Sequence, residues 1–132
     1  MAYVVLDTNV LVSALWSKDG TPAKIAHLIP EGKIIPCYCD EILSEYETVL
    51  SRPKFGFTQY QVTALLENIK KWGTSYTVSK SIGQMIDESD RVFYDVAKES
   101  KAILITGNIK HFPVEPFIMT PAEFMLKIIL NQ

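Results

Sequence analysis

Asp7, Glu45 and Asp90 are the carboxylates whose sequence surroundings suit chemistry better than solvation. Asp7 directly follows the apolar run Val4-Val5-Leu6, so it falls at the carboxyl end of a strand. Ligands of parallel sheets gather there. Asp is also a favoured helix N-cap, and one residue can serve both purposes. Asp90 lies at the edge of the helical stripe Val92, Phe93, Val96 and Ala97. As a first-turn acid it can answer the helix dipole. The cluster Asp87-Glu88-Ser89-Asp90 also repels itself unless a cation or solvent relieves it. Glu45 flanks Val49 on one side of an apolar helix face, Glu47 flanks Leu43 on the other, and Glu41 stands one turn earlier. Periodicity does not choose among them. A second strand end, Ala102 to Thr106, is followed by Gly107-Asn108 and sets Thr106 and Asn108 in the same crevice as Asp7. Gly107 permits close backbone approach. Carboxylate, hydroxyl and amide oxygens at one sheet edge suit a hard cation, Mg²⁺ or Mn²⁺, and not zinc. Such a site acts on phosphate esters by neutralising charge and activating water.

The elements that must position these residues alternate along the chain. Strands are expected at Tyr3–Leu6, Ile34–Tyr38, Ser75–Val78, Ala102–Thr106 and Phe117–Met119, with Pro36 weakening the second or placing it at an edge. Their continuous apolar runs suit burial on both faces. One helix follows Asp7 through Leu15. A second is capped by Thr21 ahead of Pro22 and stopped by Gly32. A third is capped by Asp40 and ends before Pro53. A fourth has the capping box Thr58-x-x-Gln61 and ends at Gly73. A fifth opens at Ser89 or Asp90. The last opens on Thr120-Pro121-x-Glu123. The alternation predicts an α/β sandwich with a mostly parallel sheet.

The chain has 132 residues, 48% hydrophobic and 21% charged, which predicts a single domain over residues 1–132. The longest stretch free of charge, Phe55–Leu66, is interrupted by polar residues and cannot cross a membrane. The opening MAYVVLD lacks the basic region of a signal peptide, so a cytoplasmic protein is expected. Cys37 and Cys39 would share one strand face as small buried residues in a reducing compartment. Trp16 and Trp72, at helix ends, are expected in the core or at a dimer contact rather than as base-stacking platforms. His27 is expected to be packed or exposed without a role.

Four stretches, in order, resemble the motifs of PIN-domain nucleases. They are Leu6-Asp7-Thr8-Asn9-Val10-Leu11-Val12-Ser13, then Glu41 to Leu50 with Ser51-Arg52-Pro53-Lys54-Phe55, then Asp87 to Ala97, and finally Leu104-Ile105-Thr106-Gly107-Asn108. The nearest subgroup is similar to the small stand-alone VapC-type toxins of toxin–antitoxin pairs. The resemblance implies a three-layer α/β/α fold and a metal-dependent ribonuclease. Asp7, Glu45 and Asp90 would hold Mg²⁺ or Mn²⁺, directly or through water. Thr8 and Asn9 would shape the loop, and Thr106 would orient a ligand or a water. A homodimer and a small antitoxin partner are also implied. Many family members carry an acid where this chain has Asn108. The neutral amide puts a second tightly held metal in doubt, and Asp87 is the residue that can compensate. RNA contacts are expected from Arg52 and Lys54 after the Glu45 helix, from Arg91, and from Lys110 and His111.

The alternatives are a catalytically weak or inactive PIN-like module that binds RNA or protein, and a phosphatase of the haloacid-dehalogenase kind. The phosphatase needs a second Asp where Asn9 stands. Glycine-rich phosphate cradles do not occur. The net charge of −2, from 13 basic and 15 acidic residues, argues against holding nucleic acid by bulk positive charge. Setting Asp7, Glu45 and Asp90 aside as cation-neutralised leaves 13 basic against 12 acidic residues, a near-neutral surface suited to transient RNA binding.

Overall fold

The computed structural model describes residues 2–130. Five parallel strands form the central sheet: β1 (Ala2–Leu6), β2 (Ile34–Tyr38), β3 (Thr74–Ser75), β4 (Ile103–Ile105) and β5 (Ile118–Met119), in the order β3-β2-β1-β4-β5. Val4, Val5 and Leu6 of the central strand are fully buried, as strands covered on both faces require. Among the described residues six α-helices cover the sheet in a three-layer α/β/α arrangement: α1 (Thr8–Trp16), α2 (Thr21–His27), α3 (Asp40–Leu50), α4 (Gln59–Trp72), α5 (Arg91–Ser100) and α6 (Pro121–Leu130). Helix α5 packs on β1, β2 and β4, α4 packs on α3 and β2, and α1 packs on α2 and α3. Among the described residues no helix is long and apolar enough to cross a membrane.

The strand order reverses direction at β1. The chain steps from β1 to β2 and β3 on one side, then returns to lay β4 and β5 on the other. The carboxyl ends of β1 and β4 therefore border the topological switch point, where open α/β sheets leave a crevice. The register pairs Leu6 with Ile105, so the next residues, Asp7 and Thr106, meet across it.

Several local expectations are corrected. The Ser75–Val78 strand is only Thr74–Ser75, and after the Tyr76 amide bonds the Tyr38 carbonyl the chain leaves the sheet. Thr21 is already inside α2 and Gly20 is the cap, because Pro22 sits in the first turn. Asp40 is the first residue of α3, with Cys39 at the cap. Pro36 is not on an edge strand, yet β3 pairs only with Cys37 and Tyr38, so its lost N–H removes no bond to β3. Trp16 and Trp72 are not in the core: they are 63% and 40% exposed. Cys37 and Cys39 are free and buried, as expected. Both capping boxes form: Thr58 Oγ1 accepts from the Gln61 amide at 3.1 Å, and Thr120 Oγ1 accepts from the Glu123 amide at 3.2 Å.

Gly73 ends α4 where that helix meets β2. A Cβ there would overlap the carbonyl oxygens of both Ile69 and Pro36, and neither backbone can yield. Gly73→Ala is expected to destabilise the fold by about 1–3 kcal/mol, read as a lower urea midpoint at unchanged m-value. An unchanged midpoint would show that the α4–β2 approach is soft.

Candidate active site

Asp7 builds the site. It caps α1 with an extended backbone (φ −64°, ψ 147°), and its Oδ1 accepts from the Thr8 amide at 2.8 Å. Its Oδ2 accepts from Thr106 Oγ1 at 2.7 Å and from Asn9 Nδ2 at 3.1 Å. Thr106, wholly buried, also accepts from the Asn108 amide at 2.9 Å. Asn9 Oδ1 accepts from the Gly107 amide at 3.0 Å. The β1–α1 and post-β4 loops are thus stitched together through two side chains. Gly107 is not demanded by space, since a Cβ there would meet only the Asn9 side chain, no nearer than 3.4 Å.

Glu45 enters from α3. Its Oε2 accepts from Thr8 Oγ1 at 2.9 Å, which resolves the ambiguity that periodicity left. Glu41 and Glu47 are exposed and point elsewhere; Glu41 lines a separate cavity of about 350 Å³ with Glu88, Arg91 and Asp95. Tyr46, the next residue, is buried and donates from its hydroxyl to the Leu6 carbonyl at 2.5 Å. It pins α3 to the residue before Asp7. Sequence reasoning missed it because a tyrosine on an apolar stripe reads as core.

Asp90 ends a 3₁₀ turn (Glu88–Asp90) and stands at the start of α5. Its Oδ2 is buried without a hydrogen-bond partner, and His111 Nδ1 lies 3.7 Å from it. An orphaned carboxylate oxygen is costly unless something else occupies its lone pairs. Burial chiefly, then the charges of Asp7 and Asp87, push the Asp90 pKa up to about 6. Burial likewise raises Asp7, against the pull of Thr106, Thr8 and Asn9. Glu45 is raised by burial and by Asp7 and Asp87, with Thr8 and Arg52 opposing. The three acids therefore share one field: Asp7 raises the cost of ionising both Glu45 and Asp90, and Glu45 adds to that at Asp90.

Asp87 is exposed, and its carboxylate accepts from the Ser89 amide at 3.0 Å and hydroxyl at 2.8 Å. Those bonds hold its pKa below the ordinary value. Lys110 and His111 lie exposed on a 3₁₀ turn (Ile109–His111) after β4, and Asn108 caps that turn, also exposed. Arg52 and Lys54 are exposed after α3.

Arg91 corrects an expectation. It is 6% exposed, and its guanidinium turns inward. Nε and Nη2 donate to both Glu88 oxygens at 2.8 and 2.7 Å, Nη1 donates to Ser81, and Nη2 also meets the Gly83 carbonyl. Arg91 is thus spent on the loop, not offered to a phosphate. Asp95, one turn on, accepts from the Ser81 amide at 3.0 Å. Together they tie down the irregular segment that carries Asp87. The i, i+4 spacing of Arg91 and Asp95 was the available signal, but it reads equally as a surface ion pair.

The donor set is oxygen-rich and lacks a Cys or His cluster, so it fits a hard divalent cation, and the orphaned Asp90 oxygen has a free lone pair for one. Among the described residues no three His, Cys, Asp or Glu side chains already close on one point. An ion would engage them through water or after side-chain rotation.

A switch-point crevice with Asp7 at the end of β1, and with Glu45 on α3 and Asp90 at the start of α5 within its field, defines a class: α/β proteins with an acidic site at the sheet's carboxyl edge. The comparisons make this specific. A PIN domain profile matches residues 3–110. The chain is also 35% identical over 108 residues to an uncharacterized protein of Methanocaldococcus jannaschii, a match covering 80% of this chain and 70% of that one. The protein belongs to the PIN-domain family, a family of nuclease type.

The folded state holds the Asp90 proton more tightly than the unfolded chain. The stability from that proton is complete below about pH 3.8 and lost as pH rises through about 6. Asp90→Asn is therefore expected to stabilise the metal-free protein at pH 8 by roughly 1–3 kcal/mol. The gain should shrink toward zero near pH 4, in urea titrations with EDTA. A gain independent of pH would mean that the Asp90 charge is not strained.

Proposed function

We propose that the protein is a metal-dependent ribonuclease, hydrolysing RNA phosphodiester bonds with Mg²⁺ or Mn²⁺ held by Asp7, Glu45 and Asp90. The observation that carries this reading is the field these three acids share, with one buried Asp90 oxygen left unsatisfied. A divalent cation bound there would neutralise phosphate charge and lower the pKa of a coordinated water. The chain's own residues prepare that chemistry. Thr106 and Asn9 hold the Asp7 carboxylate in one orientation, and Thr8 holds Glu45. Asp87, three residues before Asp90, adds negative charge at the rim. Lys110, His111, Arg52 and Lys54 are the cations proposed to meet the RNA backbone.

The biological role proposed with this activity is that of the toxin in a toxin–antitoxin pair, cytoplasmic and homodimeric, neutralised by a small antitoxin. It rests on the motif resemblance. It is tested by asking whether the product of a neighbouring short reading frame binds the chain and stops cleavage. One feature favours a second reading, a weakly active or inactive binding module: Asn108 gives the last strand end no charge, and so weakens the pull on a cation.

Wild-type protein is expected to cleave unstructured RNA with Mg²⁺ or Mn²⁺ and to stop in EDTA. Asp7→Asn should lower the rate at least about 100-fold while leaving the far-ultraviolet circular dichroism unchanged. Equal cleavage by Asp7→Asn would remove Asp7 from the site, and metal-independent binding without cleavage would favour the inactive module. Asn108→Asp is expected to tighten Mn²⁺ binding on the order of tenfold by calorimetry. No tightening would mean that position 108 does not face the ion.

A further inference from the structure

Trp16 closes α1, the helix that begins beside Asp7, and it is 63% exposed. An indole so open is a feature of binding surfaces. It is not loose. Its ring meets Phe55 edge-on at 5.9 Å and Phe57 at 6.1 Å, while those two stack on each other at 5.6 Å and 12°. Three rings thus brace one another into a rigid corner, which loses little entropy when a ligand settles on it.

The segment that supplies the two phenylalanines also supplies the charge. Arg52 and Lys54 are the only charged residues between Glu47 and Glu67. Lys54 Nζ lies 5.1 Å from the Phe55 centroid. Arg52 is near enough to Glu45 for its charge to be felt there. Helix α1 has nine residues, so Trp16 stands about 12 Å from Thr8. That is the span of a few stacked nucleotides at ~3.4 Å each.

We propose that Trp16, braced by Phe55 and Phe57, is a base-stacking platform for single-stranded RNA, with Arg52 and Lys54 holding the phosphates beside it. The inference deepens the ribonuclease reading and rests on it for its occupant. An exposed indole beside the two cations of a stretch that carries no acid matches a strand whose bases are free to stack; in a duplex the base faces are hidden. A protein partner fits less well, because interface cores are depleted in lysine. Stacking tolerates every base, so the platform selects strandedness rather than sequence.

The test is equilibrium binding in EDTA of a short single-stranded RNA and an abasic strand of the same length. Trp16→Ala is expected to weaken the intact strand at least about fivefold and to leave the abasic strand unchanged. Trp16→Phe should recover part of the loss. In a Trp72→Phe background, fluorescence from Trp16 should be quenched by the intact strand only. Equal effects of Trp16→Ala on both strands, or no effect on either, would overturn the platform. So would a shift from dimer to monomer by light scattering at unchanged RNA affinity, which would assign the surface to a second copy. Metal-dependent cleavage by wild type, measured separately, distinguishes failure of the platform from failure of the nuclease reading: cleavage without Trp16-dependent binding sinks only the platform.

Discussion

The parallel pairing of β1 with β4 is the constraint on which the rest depends. These strands are separated by nearly a hundred residues, and their register sets Leu6 opposite Ile105. Only that register brings Thr106 to Asp7, at 2.7 Å. A slip of one residue would turn Thr106 to the other face of the sheet. The Asp7 amide adds its own bond to the Ile105 carbonyl at 3.0 Å, so the ladder continues to the lip of the crevice. The buried apolar half of β1, Val4 to Leu6, holds the register, and the site inherits its precision from the core.

Around that fixed point the molecule gathers charge it would otherwise disperse. Asp7, Glu45 and Asp90 all have raised pKa values, with burial the leading cause in each. Hydrogen bonds from Thr106, Asn9 and Thr8 relieve the first two, but the Asp90 Oδ2 receives none. The fold thus tolerates an unfavourable arrangement at one edge, a common pattern where sites are built for charge handling. Its stability comes from elsewhere, including Tyr46, Phe93 and Phe124, all buried in the core.

The third acid depends on a different device. Asp90 follows an irregular segment with no regular structure to locate it. Arg91 and Asp95, on the first turns of α5, reach back to Ser81, Gly83 and Glu88 and hold that segment down. Arg91 looks in sequence like a phosphate-binding cation beside a catalytic acid. Glu88, its bidentate partner, stands three residues before it, but its other partners, Ser81 and Gly83, lie ten and eight residues away and offer backbone carbonyls that no side-chain pattern announces.

Much was determined by sequence alone. Apolar runs and turn residues locate four strands and six helices and touch the third strand only at Ser75, and the order of Asp7, the Glu45 helix, Asp90 and Thr106 marks the family. Those signals are local, written in periodicity and in residues adjacent to strand ends. Tertiary structure decided the rest. It selected Glu45 over Glu41 and Glu47, because only the side chain meeting Thr8 faces the crevice. It turned Arg91 inward and Trp16 outward, and gave Tyr46 the Leu6 carbonyl. Each of those outcomes depends on which surface a neighbouring element happens to cover, and helical spacing shows that two residues share a face without showing what lies against it.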